Sequence, residues 1–248
     1  MTAALIVLTT LLTSILSGVV GMAGGMVLMA VLALLLTVPA AMVMHGAIQG
    51  MANGSRAFML RQHIRWSVLP PFLTGSAIGT AAFVALALLP SQNLVLLCVG
   101  LLPWVARASG WLRGLDITRP GTAFAAGLIT MPIQLLVGVS GPLLDVFFLN
   151  SDINRHQVVA TKATTQTIGH LLKIAYYGTL FTQAVATVDA LLLLMALGAA
   201  LMGTRIGTLI LSRLSDATFR NASERVILGL GAICSLRGAY GYLAPLFQ

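Results

Sequence analysis

The chain has 248 residues, of which 58% are hydrophobic and only 8% charged, with a mean hydropathy of +0.97. Soluble globular domains carry about a quarter charged residues, so soluble, nucleic-acid-binding and secreted classes are excluded and a polytopic membrane protein is expected. The net charge of +8 fits Lys and Arg gathered in short cytoplasmic loops, where they set orientation.

Apolar segments run in order over 3–37, 39–60, 66–89 and 92–107, then over 121–149, 156–178, 187–211 and 222–244. A hydrocarbon core of about 30 Å asks for about 20 such residues per helix, and most segments meet that length. No basic stretch precedes the first segment, so it is not read as a cleaved signal peptide. Cys98 and Cys234 lie inside apolar runs and suggest neither a disulfide framework nor a metal site. The first segment carries its own breaker, GVVGMAGGMVLM, with Gly18, Gly21, Gly24 and Gly25. The fifth carries VGVSGPLL, with Gly138, Gly141 and Pro142.

These two stretches belong to a repeat. A shift of about 117 residues lays Gly21 and Gly24 on Gly138 and Gly141, His45 on Lys162, Gln49 on Gln166, Asn53 on His170 and Arg56 on Lys173. A shift of about 128 lays GSAIGT (75–80) on GTRIGT (203–208). Order kept over such distances marks two structural units.

If all eight segments were simple spans, Arg56, Arg61, Arg65, Arg107, Arg113 and Arg119 would lie on one side. Arg155, Arg213, Arg220 and Arg225 would lie on the other, against the positive-inside bias. If the first segment of each half instead breaks at its glycines and returns, every one of those arginines is cytoplasmic. The outer loops near 37–39, 90–93 and 179–187 then hold no Lys or Arg, and both termini are outside. The expected fold is an all-α integral membrane protein of two inverted repeats, each a Gly-broken re-entrant helical hairpin plus three transmembrane helices. The first repeat is 1–112, a cytoplasmic linker 113–120, and the second repeat 121–248.

A helix that starts at such a break offers unpaired N–H groups and a positive dipole end, which suits an anion. Gly24, Gly25, Ser140 and Gly141 are the candidate backbone site, and Pro142 fits a first helical turn. Polar residues at membrane depth are functional candidates. Lys162, Gln166 and His170 share one face at i, i+4 spacing, and His45, Gln49 and Asn53 repeat it. Lys162 would supply charge, and Thr161, Thr165, Gln49 and Gln166 would supply donors, with His45 beside them. Lys173, Arg56 and Arg237 read as interface anchors, while Arg205 fits a cavity or snorkelling equally. Asp145, the one carboxylate well inside an apolar segment, pairs with Lys162 or Arg205 or accepts a coupling proton; His170 is a further coupling candidate. Nothing resembles a nucleophile–base pair, a metal-ligand cluster or a cofactor loop, which argues against an enzyme.

GVVGMAGGMVLM, GVSGPLL, VVATKATTQTIGHLLKIAYYG and GTRIGT together resemble the TauE/SafE family of sulfite and sulfonate exporters, and the similarity spans nearly the whole chain. The resemblance implies a multi-pass bacterial inner-membrane carrier, driven by an ion gradient, for a small sulfur-containing anion such as sulfite, sulfoacetate or another organosulfonate. Its partners would be that anion and the lipid bilayer, with no nucleic acid and no cofactor. An uncoupled anion channel, an uptake permease for another small anion, and a membrane subunit that hands a sulfur compound to an enzyme stay open beside it.

Overall fold

The computed structural model describes residues 2–20, 23–108, 114–148, 151–211 and 216–244. Gly21, Arg113 and Arg213, used above, lie outside the described residues. Among the described residues there is no strand.

Both breaker segments are divided where glycine is dense. The first becomes α1 (Thr2–Val20) and α2 (Ala23–Leu35), and the fifth becomes α6 (Pro120–Val137) and α7 (Gly141–Phe148). Between them lie α3 (Val38–Met59), α4 (Leu69–Ala85) and α5 (Gln92–Ala108). After them come α8 (Arg155–Leu180), the short α9 (Thr182–Val185), α10 (Ala190–Leu211) and α11 (Asp216–Leu243). Local chemistry sets several ends. Pro39 and Pro120 open α3 and α6 in the first turn, where a missing N–H costs nothing. At α8, Asn154 Oδ1 accepts from the Gln157 N–H and Gln157 Oε1 from the Asn154 N–H, at 3.0 and 3.2 Å, a reciprocal cap. Gly138 ends α6 at φ 85°, its N–H bonded to the Gln134 carbonyl, a left-handed closure that glycine adopts without a Cβ clash.

The principal helix pairs are α1 with α10, α4 with α6, α3 with α8, and α5 with α11. Gly75 and Gly79 of α4 lie against Phe124 and Leu128 of α6 so closely that a Cβ would meet backbone. That contact fixes the two helices parallel, because the higher numbers meet. Gly203 of α10 meets the Leu11 carbonyl of α1 in the same way, so GSAIGT and GTRIGT are both helix-crossing motifs. α3 and α8 run antiparallel, with His45 beside Lys173 and Gly54 facing Thr167. α5 and α11 are also antiparallel, Asn93 meeting Gly241 and Gly100 meeting Gly231.

In each divided segment the two parts are in contact. Gly24 of α2 is pressed on the Thr13 carbonyl and Ser17 side chain of α1. The Phe147 carbonyl, near the end of α7, accepts a bond from the Ile117 N–H, just before α6, at 2.9 Å. The molecule thus has two distinct ends. At one, the His63 and His156 rings lie 5.2 Å apart and the Arg65 N–H bonds Thr161. At the other, Ser91 bonds Tyr242, and the Tyr176 hydroxyl bonds the Leu88 carbonyl.

Trp66–Ala85, Pro120–Val137 and Ala190–Gly207 are long and apolar enough to cross a membrane, and Thr2–Ser17, Gly24–Leu35 and Gln92–Ala108 are shorter apolar helices. The outward faces carry Leu5, Leu8 and Leu12 on α1 and Leu191, Leu194, Met202 and Leu209 on α10, all exposed. So much exposed apolar surface fits lipid as the solvent rather than water.

Candidate functional site

The polar faces of α3 and α8 turn inward and meet the two breaks. A small cleft lies there, bordered by His45, Gln49 and Asn53 of α3, by Gln166 and His170 of α8, and by Gln134 and the Ser140–Pro142 stretch. Met26 in the first turns of α2 and Val139 complete the wall. Among the described residues, no carboxylate borders it.

Hydrogen bonds fix which way each group points. His45 Nε2 faces the Gly25 carbonyl at 2.8 Å, so that nitrogen carries the hydrogen and Nδ1 of the neutral ring is an acceptor. Lys173 Nζ donates to this Nδ1 and to the Gly138 carbonyl, both at 2.8 Å. Ser140 Oγ donates to Gln134 Oε1 at 2.7 Å, which turns the Gln134 amide nitrogen toward His170 Nδ1 at 3.0 Å. His170 therefore keeps its hydrogen on Nε2. Gln49 is only 5% exposed and its amide nitrogen has no partner. Within the wall the partners of His45, Gln134 and Ser140 are thus set, and the Gln49 amide nitrogen is, among the described residues, a buried wall donor without one.

Of the candidates from sequence, Gln49, His45, Ser140, Gly141, Gln166 and His170 come together on this wall. Gly25 joins them, since a Cβ there would touch the Gln49 amide. Gly24 is a packing contact with α1. Lys162 forms an ion pair with Asp145 of α7. Thr161 accepts from Arg65, and Thr165 donates to the Lys162 carbonyl within its own helix. Arg205 is exposed on α10.

Lys173 is a correction. The sequence placed it near a helix end as an interface anchor, but it is fully buried, because the turn at Gly138 closes over it. Its spacing from His170 put it on the inward face, but that spacing does not show how deep the Gly138 turn buries it. Gln134 was missed outright; it lies one turn before Gly138 and orients both Ser140 and His170.

A bundle of helices with apolar outward faces around a polar cleft fits a polytopic membrane protein. The matching family is narrower. Residues 6–233 match the family model "Sulfite exporter TauE/SafE", and the chain belongs to that family of membrane transporters. No curated protein and no solved structure matches it.

Proposed function

We propose that the chain is a secondary transporter, an exporter of the bacterial inner membrane, that moves a small sulfur-containing oxyanion by alternating access. The anion is held in the cleft between the two breaks. Donors there are Gln49, Gln166 and His170, with N–H groups at the start of α2 and α7 and with Ser140 and His45 shaping the wall. The observation that carries this reading is the buried Gln49 amide, unpartnered in a cleft that no carboxylate borders among the described residues. An orphaned buried donor is costly, and an oxyanion is a ligand that would satisfy it.

Several packing facts support two inverted repeats. Exchanging each half's elements turns the α1–α10 pair into the α6–α4 pair and leaves the α3–α8 and α5–α11 pairs in place. In both self-paired cases the equivalent helices run antiparallel, as inversion requires. Arg56 and Lys173, equivalent by the 117-residue shift, donate to carbonyls at Ser17 and Gly138 in their own halves. The Ile117–Phe147 bond and the packing of Gly24 on α1 support re-entrant hairpins. The contact of His63 with His156 argues against eight simple spans, which would put these residues on opposite faces.

The test is counterflow in liposomes preloaded with sulfite, thiosulfate, sulfoacetate, taurine or sulfate. Counterflow with sulfite or sulfoacetate is expected. Equilibration with no transient accumulation identifies an uncoupled channel, and no movement of any of these anions overturns the reading.

A further inference from the structure

Lys173 lies fully buried between α3 and α8, and no carboxylate pairs with it among the described residues: Asp145 is taken by Lys162 and Asp116 by Arg119. Its two acceptors, His45 Nδ1 and the Gly138 carbonyl, are neutral. A buried cation without a counter-charge is strongly disfavoured, unless a bound anion supplies that charge. Lys173 is bonded to the wall residue His45, so the ammonium sits one imidazole away from the space. Gly138, its other acceptor, leads directly into Val139 and Ser140 of the same wall. Lys162, by contrast, has its charge matched inside the protein by Asp145.

We infer that Lys173, held by the Gly138 carbonyl and acting through His45, is the fixed positive charge with which the cleft meets its anion. It is a positioning and selectivity residue, not one that touches the ligand. The inference rests on the anion-transport reading above and adds to it the source of charge. A competing role is simple capping of the α6 C-terminus, where cations are favoured in any case. The two roles differ in one respect: Coulomb attraction scales with the charge of the ligand, and the stability of a helix end does not.

Sulfate and methanesulfonate share a sulfonyl geometry and differ by one charge, so their binding to the purified full chain separates the two roles. Lys173→Gln keeps a donor for Gly138 and removes the cation. It is expected to weaken methanesulfonate by about ten-fold, and sulfate by clearly more, because each unit of anion charge loses a comparable increment. Lys173→Arg is expected to keep the parent's ratio of the two affinities. An equal loss for both anions in Lys173→Gln assigns capping and overturns the inference, as does no loss, or a change of ratio in Lys162→Gln instead. Should Lys173→Gln fail to fold, Lys173→Met is read in the same way: a larger loss for sulfate than for methanesulfonate upholds the inference, and an equal loss or none overturns it. A parent chain that binds neither anion removes the transport reading itself, whereas a binding parent with an unaffected Lys173→Gln removes the charge assignment alone.

Discussion

Gln49 is informative because its two possible roles move stability and affinity in opposite directions. Thr10, Ser14 and Ser17 on α1 also have buried hydroxyls without partners. On a helix, however, such hydroxyls have the carbonyl one turn back within reach after a χ1 rotation. The longer Gln49 side chain points across to the first turn of α2, with Gly25 as its neighbour. Replacing it with leucine removes a group whose burial without a partner costs about 1–3 kcal/mol. Gln49→Leu is therefore expected to melt at or above the parent's temperature when empty. Its anion affinity should nevertheless fall about ten- to a hundred-fold, the loss of a hydrogen bond to a charged group at roughly 1.5–3 kcal/mol. Melting curves with and without sulfite check both signs together. A variant that loses stability and affinity in parallel would make Gln49 a packing residue.

At the scale of elements, the break after α6 depends on a backbone conformation that only one residue type adopts cheaply. Gly138 has φ 85°, and a Cβ there would also meet the sulfurs of Met29 and Met42 at 2.6 and 2.9 Å. Methionine ends can move aside; the dihedral cannot. Gly138→Ala is expected to lose about 1–2 kcal/mol, seen as a lowered melting temperature. Gly121→Ala, at the open start of α6 with nothing within 4 Å of a new Cβ, should lose nothing. Matching losses in the two would mean that the turn is not under conformational control. This contrast also marks what the sequence could convey. The breaks were legible because glycine and proline interrupt otherwise continuous apolar runs, and the facing ladders were legible from i, i+4 spacing on α3 and α8. The burial of Lys173 was not, since it depends on the Gly138 turn coming from another segment. Nor was the choice of Lys162 over Arg205 as the partner of Asp145, because the sequence does not say whether α8 or α10 packs beside α7. The start of α4 also shifted inward to Leu69, with Trp66–Val68 in a 3₁₀ turn before it.

At the scale of the whole molecule, the two ends differ in charge as well as in contacts. The end that joins His63 to His156 carries Arg61, Arg65 and Arg155, and the parallel run of α4 and α6 brings Arg119 to it. The end that joins Ser91 to Tyr242 has no Lys or Arg in the stretches 86–93 and 179–189. Short loops rich in arginine stay in the cytoplasm, so the first end is expected to face inward and the second outward. Single cysteines test this in a background where Cys98 and Cys234 are replaced. Gln183→Cys and Leu89→Cys, both exposed at the arginine-free end, are expected to react with an impermeant maleimide added to intact cells. Gln62→Cys and His156→Cys, exposed at the other end, should react only after the membrane is opened. The pair Gln62 and His156 is the decisive one. Simple spans through all eight apolar segments would put an odd number of crossings between them and make one of the two label from outside. Labelling of both from the same side requires an even number, which a re-entrant 121–149 segment provides and an uninterrupted span does not.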